Sequence, residues 1–205
     1  MKTLFTLLQI LQPELEVLAN PEEDQGVELG QRRSEKITAV TRRVLPGLRQ
    51  YSSWLSCNAG ILAAQIGDNT LNVQIKELWK IYANTLTLLT ATFSTSSLPV
   101  IDYLLEEDED TIGFKPFESE NTYRRYFIPD PPSEKRVFKP RFHDETVKRQ
   151  HPNLEMLGRV RELLTDGLTL AMEKVSFNEC MCDEAEHLSD NPRRASRWHN
   201  NICLP

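Results

Sequence analysis

Between Ser34 and Gln65 one helical stripe governs what the chain can fold into. Apolar or neutral residues return at Ile37, Val40, Val44, Leu48, Tyr51, Leu55, Asn58 and Leu62. Steps of three and four place them on one helix face. Ser34 is a suitable N-cap, and Gly67, Asp68 and Asn69 stop the helix where its stripe ends. Away from the stripe stand Arg42, Arg43 and Arg49, preceded by Arg32, Arg33 and Lys36. This helix is therefore expected to carry both a core face and a basic face. Pro46 removes a backbone donor and Gly47 is a poor helix former, so a bend is predicted there, with Leu48 onward in register.

Two further long helices flank it, and a third closes the pattern. Thr3 to Leu18 places Leu4, Leu7, Leu8 and Leu11 on one face, with Pro13 expected to kink or restart the helix. A polar loop, Asn20 to Gln31, follows. Asn69 to Phe93 carries Leu71, Ile75, Leu78, Tyr82, Leu86, Leu89 and Phe93, widened by Trp79. The turn before it is short, which favours antiparallel neighbours and a meeting of Trp54 with Trp79. Asn153 to Val175, capped by Asn153, has the stripe Leu154, Leu157, Val160, Leu164, Leu168, Met172 and Val175.

The remaining stretches lack sustained helical period. Leu98-Pro99 begins a short predicted helical segment, Val100 to Leu105, which runs into the acidic run Glu106 to Asp110. Such a run usually faces solvent, and the apolar group Ile112-Gly113-Phe114-Lys115-Pro116-Phe117 after it is expected to dock onto the core. Residues 118–152 hold Pro129, Pro131, Pro132, Pro140 and Pro152, with Pro116 just before them, and read as an extended or disordered insertion. Arg124, Arg125, Lys135, Arg136, Lys139 and Arg141 alternate there with Tyr123, Tyr126, Phe127, Phe138 and Phe142. That mixture suits stacking on unpaired bases and gripping phosphates. It also suits a strap whose aromatics pack on the helices, which is the favoured expectation. Ser176 to Pro205 is polar and aperiodic and reads as a disordered tail.

Composition narrows the chemistry. A net charge of −6 argues against an overall attraction to nucleic acid, but the charge is segregated. Gln31 to Gln50 holds six basic residues and one acidic; Ile101 to Glu120 holds eight acidic and one basic. Four cysteines (Cys57, Cys180, Cys182 and Cys203) form no disulfide framework in a chain of 205 residues and point to a reducing compartment. The N-terminal run is broken by Gln9, Gln12 and Glu14 and reads as an amphipathic helix, not a signal peptide. Nothing approaches the ~20 apolar residues of a membrane span.

Cys180 and Cys182, with His187, His199 and Cys203, are zinc-ligand types at unsuitable spacing. His143-Asp144-Glu145 with His151 lacks the helical spacing of a metal-binding histidine pair. The carboxylates of Glu106 to Asp110 lack a calcium-loop pattern. No glycine-rich phosphate loop, nucleophile elbow or dinucleotide fingerprint is present. The expectation is a non-enzyme with no cofactor and no metal.

Several blocks resemble a known family. Thr41-Arg42-Arg43-Val44-Leu45-Pro46-Gly47-Leu48-Arg49-Gln50-Tyr51-Ser52-Ser53-Trp54-Leu55 resembles the opening of the DNA/RNA-binding domain shared by ever-shorter-telomeres (telomerase-accessory) proteins and nonsense-mediated mRNA decay factors. Leu78 to Leu86, Leu98-Pro99, Leu105 to Phe117, Arg141 to Glu145, Arg149 to Asn153 and Glu155 to Arg159 look like later blocks of that family, in its fungal form. The ordered set spans roughly residues 35–175.

The resemblance implies an all-α domain of antiparallel helical hairpins, of the α-α superhelix type, acting as an adaptor in telomerase recruitment or transcript decay. It implies that the family's tetratricopeptide/14-3-3-like region is missing or reduced to the helix within residues 1–20, and that no nuclease site follows residue 175. The expected organisation is a hairpin core over 34–117, the insertion 118–152, a closing helix 153–175 and a tail 176–205. Arg32, Arg33, Lys36, Arg42, Arg43 and Arg49 are the candidate phosphate contacts for RNA or single-stranded DNA. Decay or telomerase proteins are the expected protein partners, and nucleus and/or cytoplasm the expected location. The alternative is a protein-interaction scaffold without nucleic-acid contact, in which the arginines pair with Glu106 to Asp110.

Overall fold

The computed structural model describes residues 2–19, 36–63, 69–93, 95–115, 125–128 and 137–172. The chain is all-α: α1 is Lys2–Leu18, α2 Ala39–Ala63, α3 Asn69–Thr92, α4 Glu106–Thr111 and α5 Pro152–Met172. Among the described residues the only pairing of extended backbone is an isolated antiparallel bridge between Phe127 and Phe138.

The four long helices close a ring around one core. α1 lies against both α2 and α3, and α5 lies against both as well. Among the described residues the broad neighbours of α2 are therefore α1 and α5. α2 and α3 meet across the centre, where Ser52 Oγ and Tyr82 OH are 2.7 Å apart. Trp79 packs edge-on to Tyr82 at 6.1 Å, and Trp54 borders the core half-buried.

Leu4, Leu8, Leu11 and Leu15 are all buried and rivet α1 between its neighbours. Each full burial contributes roughly 1.5–3 kcal/mol. Pro13 lies within the single helix on its exposed side, so the expected restart does not occur.

In α2 the break also falls elsewhere than predicted. Helical geometry persists through Pro46 and Gly47, and the kink sits at Asn58 (φ −121°, ψ 15°). The Asn58 side-chain amide donates to the Trp54 carbonyl one turn back, at 2.9 Å. Such a side-chain bond competes with the helical ladder. The start differs too. Thr38 Oγ1 accepts the Thr41 amide at 3.1 Å, so Thr38 caps α2. Ser34 lies outside the described residues.

α5 begins at a histidine cap. The Asn153 amide donates to His151 Nδ1 at 3.2 Å, and Pro152 takes the first helical position, where a missing N–H costs nothing. The buried face of α5 runs through Leu157, Val160, Leu163 and Leu170. Leu154 and Met172, expected in the stripe, are exposed. Two glycines let neighbours approach: a Cβ on Gly158 would stand 2.4 Å from Ile101, and one on Gly167 2.3 Å from Leu86.

α2 and α5 run parallel. Arg42 bonds Asn153, and further along both helices Arg49 bonds Glu162. The connection includes α3 and a non-helical strap. Residues 98–105 are non-helical, including Val100 to Leu105, where a short helix was expected, and bury Leu98, Ile101, Tyr103, Leu104 and Leu105. Ile101, Tyr103 and Leu105 form a second small core with Phe142 and Val147. The Leu104 amide donates to the Pro140 carbonyl at 2.9 Å, joining the strap to the described part of the proline-rich stretch.

Candidate nucleic-acid interface

The basic residues singled out in the sequence separate in space. Arg32 and Arg33 lie outside the described residues. Lys36 is half-buried just before α2, and Arg43 is exposed on its first turns. Arg42 is half-buried, its Nη2 donating to Asn153 Oδ1 at the start of α5. Because α2 and α5 are parallel, both N-terminal ends and these cations share one end of the bundle.

Arg49 does not join them. It is wholly buried, and its guanidinium is spent on carboxylates. Nη1 and Nη2 fork onto Asp108 Oδ1 and Oδ2, each at 2.8 Å. Nη1 also meets Glu107 Oε1 at 3.1 Å, and Nε donates to Glu162 Oε2. A phosphate has no access to this group, so Arg49 is corrected from candidate contact to internal ion. Ser52, Ser53 and Ser56, all buried, continue its side of α2.

The acids that meet Arg49 come from the run expected to face solvent. α4 turns Asp108 inward at 3% exposure, and Asp108 Oδ2 also accepts the Leu105 amide at 3.1 Å, the return half of a capping box. Glu107 accepts Arg159 Nε and Nη2, both at 2.7 Å. Of the apolar group expected to dock, Ile112 and Phe114 are instead 40% and 53% exposed, and Pro116 and Phe117 lie outside the described residues. A chain pays heavily to bury Arg49 and Arg159, so satisfying them with α4 outweighs covering two apolar side chains.

The network extends further. Arg125 bonds Asp166, and Lys139 lies in the field of Glu162 and Asp108. Arg49, Arg125, Lys139 and Arg159 thus face Glu107, Asp108, Glu162 and Asp166. Burial opposes charge on Arg49, but Asp108, Glu162 and Glu107 hold it protonated well above its ordinary range. Burial pulls the Lys139 ammonium down. Burial opposes ionisation of Glu162, yet Arg49, Arg125 and Lys139 push its carboxyl down to about 2. Arg125 and Lys139 are therefore buried inward-facing cations.

A second group includes Arg141 and Phe142, which the sequence marks as suited to stacking or gripping phosphate, and Arg149, which it does not. Arg149 is 47% exposed, and its Cζ sits 3.8 Å from the centroid of the Phe142 ring. Its Nε and Nη2 both approach Glu155 Oε1 at 3.4 Å. Glu155 also accepts Tyr103 OH at 2.7 Å, and that hydroxyl accepts the Gln150 amide at 3.0 Å. Burial pushes the Tyr103 phenol up to about 12. Arg141, Lys148 and His151 are exposed along the same segment. The readable signal was the aromatic and basic composition of Arg141 to His151, without a period to say which side chains face out.

Among the described residues no group of three histidine, cysteine or carboxylate side chains is placed to hold a metal. His143 approaches Glu109 at 3.5 Å, and His151 caps α5. Cys180, Cys182, His187, His199 and Cys203 lie outside the described residues. No helix among the described residues is long and apolar enough to cross a membrane.

The model of the Est1 DNA/RNA binding domain family matches residues 1–121. The match begins at residue 1 and so takes in α1 together with α2, α3 and α4. No curated protein and no solved structure matches the chain. The matched span covers more than half of the 205 residues and carries the DNA/RNA-binding assignment; the chain belongs to the Est1 DNA/RNA binding domain family.

Proposed function

We propose that this protein is a non-catalytic helical adaptor that associates with single-stranded RNA or DNA, in telomerase regulation or nonsense-mediated mRNA decay. Family membership supports the nucleic-acid association. The observation that carries the reading is the end of the bundle where the N-termini of the parallel helices α2 and α5 lie together with Lys36, Arg42 and Arg43. Arg43 is exposed there and Lys36 and Arg42 half-buried, and cations and helix N-termini both favour phosphate oxygens, without base specificity. Protein partners from the telomerase or decay machinery, and a nuclear and/or cytoplasmic location, belong to the same proposal.

The test is anisotropy of a labelled single-stranded RNA, and of the matching DNA, at low and near-physiological salt. Arg42→Glu combined with Arg43→Glu is expected to abolish salt-dependent binding with helicity unchanged. Wild-type affinity in the double variant would sink the assignment. One observation favours a protein scaffold instead: Arg49 pairs with Glu107 and Asp108 of the acidic run, an internal clasp in a chain of net charge −6. A scaffold would bind neither strand at either salt.

A further inference from the structure

We infer that Arg149, backed by Phe142, is a stacking platform for an unpaired base. The inference deepens the nucleic-acid reading above and rests on it. An unpaired base needs a flat, exposed partner, and guanidinium planes serve this purpose as aromatic rings do. A free arginine side chain offers no fixed plane. Arg149 is held from two sides: the Phe142 ring lies beneath it at 3.8 Å, and Glu155 takes one edge through Nε and Nη2. The Phe142 ring in turn packs on Tyr103, with centroids 6.5 Å apart, and its backbone amide donates to the Glu109 carboxylate. Glu155 is buried and anchored by Tyr103. Nearly half of the Arg149 side chain still meets solvent.

The surroundings suit a strand. Arg141 and Lys148, the residues immediately before Phe142 and Arg149 in sequence, are both exposed. A short run of chain leads from Arg149 to Asn153, which bonds Arg42 beside the exposed Arg43. The nearby acids are partly accounted for. Asp144 Oδ1 accepts the Thr146 amide and hydroxyl at 3.0 and 2.7 Å, and Glu109 is turned onto Phe142 and His143. Glu145 remains exposed and would repel a phosphate brought to it. A strand following Arg43, Arg149 and Lys148 would place phosphates on the cations and one base on the guanidinium.

The experiment compares two labelled probes of equal length, about 12 nucleotides. One is an oligouridylate; the other is the same backbone without bases. Arg149→Lys keeps the charge and removes the plane. The wild-type protein is expected to prefer the base-bearing strand. Arg149→Lys should weaken that strand by about fivefold to a hundredfold and leave the abasic strand unchanged. Arg43→Glu should weaken both. An Arg149→Lys variant that retains the preference for bases, or weakens both strands equally, would overturn the platform while leaving the phosphate reading standing. Wild-type protein that binds neither strand overturns both. Circular dichroism confirms that each variant is folded.

Discussion

Arg49 on α2 and Asp108 on α4 form a two-pronged ion pair, with Nη1–Oδ1 and Nη2–Oδ2 both at 2.8 Å, inside the protein. The pair joins residues 59 positions apart and fixes the strap against the helical ring. A lysine has no second prong, and an apolar residue leaves Glu107, Asp108 and Glu162 facing each other. Arg49→Met is therefore expected to lower stability by about 3–5 kcal/mol, the usual consequence of removing one partner of a buried pair. Arg43→Ala on the exposed side should change it by less than about 0.5 kcal/mol. Urea denaturation of both variants checks the contrast.

The same cluster sets an acid limit. Glu162 has its carboxyl lowered from 4.5 to about 2, and Glu107 is also lowered. Groups lowered in the folded state contribute stability above their unfolded pKa, and that contribution is lost as pH falls through the folded value. Stability should therefore fall between about pH 4.5 and pH 2, the window of Glu162. Asp166, raised by burial despite Arg125, acts in the opposite sense. Urea midpoints measured across that range should show the loss, and Glu162→Gln should flatten it while lowering stability at pH 7.

Gly158 and Gly167 make a prediction about packing. A methyl at either position would collide with Ile101 or Leu86, at 2.4 and 2.3 Å. Alanine raises helix propensity, but overpacking of this kind costs about 1–3 kcal/mol. Both glycine-to-alanine variants should melt below the wild type. A melting temperature at or above wild type would show that the strap and α3 yield to the extra atom.

Tyr103 ties the strap to the loop before α5. Its hydroxyl donates to Glu155 at 2.7 Å and accepts from the Gln150 amide at 3.0 Å. Tyr103→Phe leaves a buried carboxylate short of a donor, at a cost of about 1–3 kcal/mol. Hydrogen exchange at the Gln150 amide should speed up more than exchange at the core of α3.

Much of the helical frame was legible because burial and periodicity coincide. Ile75, Leu78, Tyr82, Leu86 and Leu89 of α3, and Phe93 just after it, all lie in the core, as their spacing indicates. Arg49 departs from the expected basic face because its charge is matched by buried carboxylates, which the helix's own sequence does not show. Its neighbours one and two turns on, Ser53 and Ser56, are small and marked a close-packed face. The partner signal was also present, since Glu155, Arg159, Glu162 and Asp166 follow a helical stripe of their own on α5. Nothing local could pair that stripe with Arg49 or α4, because the contacts span 52 to 113 residues. The short helix expected over 100–105 does not form: Ile101, Tyr103, Leu104 and Leu105 are buried in non-helical backbone, and a near-continuous apolar run does not by itself distinguish that from a buried helix. The kink moved from Pro46 to Asn58 because a side chain there can replace the helical bond, which propensity alone does not register.

The measurement that tests the division of the basic residues most directly is the salt dependence of single-stranded RNA affinity, for the wild type and for Arg43→Ala. Each phosphate neutralised on a single strand adds roughly −0.7 to the slope of log affinity against log salt. The wild type should show a clearly negative slope, made shallower by about that increment in Arg43→Ala. A wild-type affinity independent of salt, or an identical slope in the variant, would contradict that division.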